Sequence, residues 1–152
     1  MKNILLLSLV VLLVSPIFAQ SNAPKKIRKA FELMVPDAQD VKWSTSKERQ
    51  TAKERKYTVD YKINNDSIFS RFDYKANWVI TVTYIEVEQL PKAVSSTIYD
   101  DYMSAEITKA ARVEQPDFDG YGAIFTYMGD QWTVQVTEKG RIVLRSVTAS
   151  GF

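Results

Sequence analysis

The chain has no cysteine and no histidine. Without cysteine there is no disulfide framework, so stability has to come from packing. Without histidine it lacks the usual general base near neutral pH and the commonest transition-metal ligand. Ser/His/Asp and Cys/His nucleophilic sites, zinc sites of the usual ligand types and haem ligation through His or Cys are all excluded by composition. An excess of one charge is also missing: 20 Lys and Arg face 18 Asp and Glu. A nucleic-acid binder would concentrate basic residues on one face, so no nucleic-acid partner is expected. The densest basic stretch, SKERQTAKERK at 46–56, is interrupted by Glu48 and Glu54. It reads as a solvated loop or edge before it reads as an anion or membrane patch. No motif implies a cofactor.

Long apolar runs are lacking as well, with one exception near the start. Lys2 precedes an apolar run from Ile4 to Val14, broken only by Ser8; Ser15 and Pro16 then end it, and Ala19 precedes Gln20. Charged n-region, apolar h-region and small residue at the cut is the order of a secretory signal. The alternative is a membrane anchor, but a bilayer span needs about 20 apolar residues. Residues 1–19 are therefore expected to be a cleaved signal peptide, leaving residues 20–152 as a single exported domain, periplasmic or secreted. No stable membrane insertion is expected after cleavage, and no cysteine follows the h-region to carry a lipid.

What the chain does contain is a helical pattern that gives way to strands, twice. Ile27, Ala30, Phe31 and Met34 form one apolar stripe opposite Lys25, Lys26, Arg28, Lys29 and Glu32. Pro24 suits a first helical turn and Pro36 closes the segment, which predicts a helix from about 24 to 35. The period then changes to two. VKW at 41–43 is extended, and YTVDYKI sets Tyr57, Val59, Tyr61 and Ile63 on one face. NND at 64–66 turns, SIFSRFD returns, YKAN turns and WVITVTYIEVE at 78–88 is a further strand. From Pro91 the order recurs. PKAVSSTIYDDYM is helical, AEITKAARVE extended, PDFDG a turn and YGAIFTYM a strand; Gly129-Asp130 and Lys139-Gly140 read as two-residue hairpin loops around QWTVQVTE, before RIVLRSVTA.

The halves align at low identity. Pro24-Lys25 matches Pro91-Lys92 and Phe31 matches Ile98; Tyr57 matches Tyr121, Phe72 matches Val136 and Lys75 matches Lys139. The expected fold class is α+β: two tandem helix-plus-antiparallel-sheet repeats, about 23–88 and 90–150, with both helices on one face of a sheet. Each half alone would hold a marginal core, which favours one shared sheet over two domains.

The pattern F…VPDAQDVKW, then YTVDY, then FDYKANWVIT, then LPKAV…I…Y…I resembles the PepSY-like, β-lactamase-inhibitor-like proteins exported by Bacteroidetes-type bacteria. Phe31, Pro36, Val41-Lys42-Trp43, Phe72-Asp73, Trp78 and Leu90-Pro91 carry the likeness, which covers the chain from about Pro24 to its end. The family usually has glycine in the turn before the Trp78 position and proline after the Tyr102 position, where this chain has Ala76 and Met103. The resemblance implies an exported module of two helix-plus-sheet repeats without known catalytic residues. By analogy with β-lactamase inhibitors and with PepSY modules of protease propeptides it implies protein binding, a fold-level analogy.

Two chemical readings compete with simpler ones. Glu86 and Glu88, two apart on an expected strand, share a face as a glycosidase pair would, yet acidic residues near strand ends ordinarily face water. DFDG at 117–120 opens like a calcium loop, but position 12 is Met128 and glycine falls at position 4, so a capped hairpin turn fits better. The remaining signal is aromatic: three Trp, eight Tyr and seven Phe. Trp43, Tyr57, Tyr61, Trp78, Tyr127 and Trp132 are the candidate partner-binding residues, on a sheet face left uncovered by the helices. Burial beneath the helices is the competing reading for each of them. The function expected is a non-enzymatic exported module that binds another protein. The alternative is a small molecule or glycan in an aromatic-lined cleft between the repeats.

Overall fold

Two prolines cap two helices of equal length. The computed structural model describes residues 22–45, 51 and 54–147, so the signal-like segment 1–19 and most of the charged stretch 46–56 lie outside the described residues. Helix α1 spans Lys25–Met34 and α2 spans Lys92–Asp101. Pro24 and Pro91 are the N-caps, one position earlier than a first-turn residue, with φ/ψ of −56°/146° and −55°/141°. Each caps through its carbonyl. Pro24 O accepts the Ile27 and Arg28 N–H groups at 2.9 and 3.1 Å, and Pro91 O accepts those of Val94 and Ser95 at 2.9 and 3.1 Å. At the far ends Val35 and Tyr102 adopt φ/ψ of −136°/75° and −132°/75° and donate to the Phe31 and Ile98 carbonyls.

Eight strands form one antiparallel sheet in chain order. They are β1 (Gln39–Thr45), β2 (Tyr57–Ile63), β3 (Asp66–Phe72), β4 (Trp78–Ile85), β5 (Glu106–Gln115), β6 (Phe118–Tyr127), β7 (Asp130–Thr137) and β8 (Ile142–Val147). The α+β class therefore stands. β4 pairs directly with β5, from Thr81 against Glu114 to Ile85 against Ala110, although α2 separates them in sequence. That ladder joins the two halves into one sheet.

Several boundaries differ from those the sequence suggests, each for a local reason. β4 stops at Ile85 because Glu86 caps a one-turn 3-10 helix, Val87–Gln89, whose Gln89 Oε1 accepts the Glu86 N–H at 2.8 Å. The Glu86/Glu88 pair is consequently not on a strand. The β6–β7 turn is Met128-Gly129, not Gly129-Asp130, since Tyr127 pairs with Asp130. Phe118, Asp119 and Gly120 belong to β6, so the PDFDG turn is confined to its start. The last hairpin has a three-residue loop, 138–140, closed by the Thr137 N–H donating to the Arg141 carbonyl at 2.9 Å.

The loops of the halves correspond in backbone conformation. Asn64 and Asn65 have φ of 50° and 77°, while Met128 and Gly129 have 51° and 88°. These are the primed turns that match strand twist. In the loop after β3, Asp73 N–H donates to Asn77 O and Ala76 N–H to Asp73 O; after β7, Thr137 N–H donates to Arg141 O and Gly140 N–H to Thr137 O. Ala76 and Gly140 occupy the same left-handed place, at φ 73° and 85°. The Asp73 carboxylate completes its loop by accepting from the Lys75 and Asn77 N–H groups, both at 2.8 Å.

Two of the three buried clusters gather around the helices. Ile27 and Phe31 of α1 are buried with Tyr57, Val59, Tyr61 and Phe72. Val94 and Ile98 of α2 are buried with Ala110, Ala123, Phe125, Val134 and Val136. Fully burying each such side chain contributes about 1.5–3 kcal/mol.

Two predictions follow from the loops. At position 76 an L-residue in the left-handed region costs about 1–2 kcal/mol, and glycine's extra unfolded-state freedom takes back about 0.4–1 kcal/mol. Ala76→Gly is expected to raise stability by about 0.5–1 kcal/mol in urea denaturation, whereas Gly140→Ala lowers it. In the latter a Cβ would also meet the Ala93 carbonyl oxygen and Thr97 Oγ1, both at 2.7 Å. The second concerns acid. Burial pushes the Asp73 carboxyl up, but hydrogen bonds from Asn77 and Lys75 and the Lys56 charge outweigh it and hold its pKa below the ordinary value. A carboxyl lowered in the fold stabilises fully above its unfolded pKa, and that stability is lost as pH falls through the folded value. Denaturation midpoints measured against pH should lose part of their acid limb in Asp73→Ala.

Candidate functional site

Directly opposed residues of antiparallel strands share a face, so the register sorts every strand residue onto one of two faces. One row runs Tyr61, Ile68, Thr83, Arg112, Tyr121, Val136 across β2 to β7. All six candidate aromatics lie on this same face. Trp43 opposes Val59, Tyr57 opposes Phe72, Trp78 opposes Phe72, and Trp132 opposes Phe125 two places from Tyr127. This is the face against which the helices bury their apolar residues. Tyr57 and Tyr61 are only 7% and 4% exposed. Trp43 meets the Phe31 ring edge-on at 5.5 Å, and Tyr127 and Trp132 pack on Tyr102 at 5.3 and 5.4 Å. The expectation of an open face built from these residues is thus corrected in placement. Each short helix buries only two apolar residues here, and large aromatics on the sheet fill the space around them.

A polar relay runs through this packing. Ser70, fully buried, bonds Tyr61 Oη at 3.1 Å and Thr81 Oγ1 at 2.8 Å, and Trp78 Nε1–H donates to Thr81 Oγ1 at 2.9 Å. Burial pushes the Tyr61 phenol up; its bond to Ser70 pulls it back and the Glu114 charge pushes it further up. Buried polar groups of this kind are tolerated because each has a partner.

The opposite face has a different make-up. Phe69, Ile80, Val82, Ala111 and Val113 form a buried cluster with Val79 and Phe118 packed against it, and neither helix contributes to it. The row Tyr84, Ala111, Gly122, Gln135, Leu144 crosses β4 to β8 on this face. It has large exposed residues at its ends, Tyr84 at 43% and Leu144 at 47%, with Ala111, Gly122 and Gln135 in between. The exposed apolar surface of this face is therefore at the ends of the row, beside a cluster that is already buried. Around Phe69, the Tyr84 ring lies 6.2 Å away and the Arg71 guanidinium 5.7 Å from the ring centre. The Phe118 ring folds over Gly120, where a Cβ would come within 2.6 Å of it and 2.5 Å of the Val136 carbonyl oxygen. Burial raises the Tyr84 phenol, and the Asp60 charge adds to this.

Sequence reasoning missed Phe69, Tyr84, Phe118 and Arg71. The available signal was apolar residues at both parities of SIFSRFD, where Ile68 and Phe72 face one way and Phe69 the other. Strands apolar on both faces are a mark of two-sided burial.

Two depressions sit at the other end of β6 and β7. One, of about 470 Å³, is lined by Asp119, Thr137, Glu138, Lys139 and Arg141; the other, of about 150 Å³, by Arg112, Asp119, Gly120, Tyr121 and Glu138. Tyr121 is the one aromatic among these lining residues. Asp119, from the DFDG motif, is paired with Arg112 at 3.3 Å.

The fold is that of the BLIP-like proteins of Bacteroides. A BLIP-like protein from Bacteroides fragilis superposes with a TM-score of 0.67 at 20% identity, covering 85% of this chain and 89% of that one. A DUF2874 family protein from Bacteroides uniformis gives 0.68 at 21% identity, covering 82% and 89%. A protein from Bacteroides eggerthii, described as a candidate periplasmic protein, gives 0.67 at 20% identity, covering 82% and 88%. No family model matches the chain, and no curated protein matches it.

The relay supplies a prediction. A phenol whose folded pKa is raised stabilises fully below its unfolded pKa, and that contribution is lost as pH rises through the folded value. Tyr61→Phe should therefore cost about 1 kcal/mol near neutral pH, for the hydrogen bond lost at Ser70, and flatten the alkaline limb of stability against pH.

Proposed function

We propose that this chain is an exported, non-enzymatic binding module, made of two copies of a helix-plus-four-strand unit, that engages another protein through the sheet face opposite its helices. The observation that carries the reading is the exposed apolar part of that face. Tyr84 and Leu144 are 43% and 47% exposed, and Arg71 lies over Phe69 beside the buried cluster of Phe69, Ile80, Val82, Ala111 and Val113. Aromatic and Arg anchors around a desolvated centre are the usual composition of a protein-binding hot spot. The duplication is supported by the matching caps, turns and loops of the two halves, and one helix per copy on the same face is supported by the clusters that α1 and α2 form with residues of that face. Export is supported by the signal-like order of residues 1–19 and by the name of the Bacteroides eggerthii neighbour. Protein binding also accords with the BLIP-like name of the Bacteroides fragilis neighbour.

The test is an affinity capture from periplasm and medium of the producing cell, comparing the unaltered chain with Tyr84→Asp and with Leu33→Asp. Leu33 is 77% exposed on α1 and serves as the control. The reading expects one protein retained by the unaltered chain and by the Leu33 variant, and bound about tenfold or more weakly by the Tyr84 variant. Repeated failure to retain any protein, or equal retention by Tyr84→Asp, would contradict it.

A further inference from the structure

The apolar packing of the helix face is interrupted in its middle. The sheet residues buried around α1 come from β2 and β3, and those around α2 from β5, β6 and β7. Between the two clusters the same face turns polar. One row of opposed residues runs from Ser70 through Thr81 and Glu114 to Asp119, and the next from Thr83 through Arg112 to Tyr121. Arg112 pairs with Glu114 and with Asp119, both at 3.3 Å, and these three side chains are 51%, 45% and 67% exposed. On the α1 side Thr81 Oγ1 accepts the Trp78 indole N–H at 2.9 Å. On the α2 side the depression of about 150 Å³ opens among Arg112, Asp119, Tyr121 and Glu138. Trp78, Thr83 and Tyr121 are half-buried. From β3 to β6 the stripe crosses three strand spacings, roughly 14 Å.

We propose that this stripe is a second binding site, for a neutral, hydroxyl-rich ligand of the carbohydrate class and the size of a disaccharide. A sugar hydroxyl both donates and accepts, and the stripe supplies both kinds of partner. The carboxylates of Glu114 and Asp119 only accept, the Arg112 guanidinium only donates, and the Thr83 hydroxyl does either. Trp78 and Tyr121 bring one aromatic side chain to each side, and an aromatic surface suits the apolar C–H face of a sugar ring. A few placed polar groups beside aromatic side chains are the usual make-up of a small-ligand site. The charge of Arg112 is already met by two carboxylates, so the stripe holds no free cation for an anionic ligand. Lys139 and Arg141 line the neighbouring depression instead. An apolar ligand would take water from these polar groups and give no hydrogen bond in return. The stripe lies on the face opposite the one assigned to the protein partner, so this inference and that reading can fail separately.

The test uses the purified chain, as the producing cell processes it, on an array of neutral and acidic glycans. Calorimetric titration then follows with maltose, cellobiose, mannobiose, diacetylchitobiose and, as the anionic comparison, glucose 6-phosphate. Saturable binding of at least one neutral glycan is expected. Asp119→Asn and Arg112→Gln should each weaken it about tenfold or more, for the charge-assisted hydrogen bonds lost. Both change exposed side chains, so circular dichroism and melting should match the unaltered chain; Glu114→Gln serves in place of either if the fold is disturbed. Glu106→Gln, at the far end of β5, should bind as the unaltered chain does. Absence of any neutral glycan binding on the array overturns the inference. So does affinity unchanged in both stripe variants, or a preference for glucose 6-phosphate and acidic glycans over neutral ones.

Discussion

Two ten-residue helices must close one face of an eight-stranded sheet, and most features of the molecule follow from that shortage of cover. Eight strands spaced by about 4.8 Å span roughly 34 Å, while each helix with its side chains is about 10–12 Å across. Two helices side by side therefore reach about two thirds of the width. Long side chains on the sheet must supply the rest, and Trp43, Tyr57, Tyr61, Trp78, Tyr127 and Trp132 are those side chains. Phe31 at the centre of one cluster and Tyr102 at the end of the other each touch three aromatic rings. The aromatic richness that suggests a binding surface is, on this face, the material of the core.

The opposite face solves the same problem without any helix. Small residues, Ala111, Gly120 and Gly122, lie along its middle, the Phe118 ring folds over Gly120, and the Tyr84 ring packs 6.2 Å from Phe69. The centre of this face is already buried, so what it offers to a partner is its exposed rim, Tyr84 and Leu144 with Arg71 nearby. This is the physical basis for placing partner recognition there.

Much of this was legible in the sequence. The apolar stripe Ile27, Phe31 and the spacing of Val94 and Ile98 placed both helices, and the alternation of YTVDYKI placed β2 with its burial pattern. The repeat of the Pro-Lys helix openings foretold the paired caps. Boundaries were less legible where side chains rather than periodicity decide, as when Glu86 and Gln89 cap a turn that ends β4 early. The six aromatics were expected on an uncovered face because period two tells which residues share a face but not which face a helix will cover. That is settled by long-range pairing, here β4 with β5, which no local pattern records. Ala76 shows a further limit: its φ of 73° is invisible in its own identity and is signalled only by the glycine usual at that turn in the family it resembles and by Gly140 in the second half.

The account's central claim is that the aromatics of one face are shut beneath the helices while Tyr84 on the other stays at the surface. Tyrosine nitration of the native chain, read residue by residue by mass spectrometry, tests it most directly. Modification of Tyr84 and Tyr99, which are 43% and 46% exposed, with protection of Tyr57, Tyr61 and Tyr102, at 7%, 4% and 6%, is the result the account predicts. Native-state modification of Tyr57 and Tyr61 at the rate of Tyr84 would contradict it.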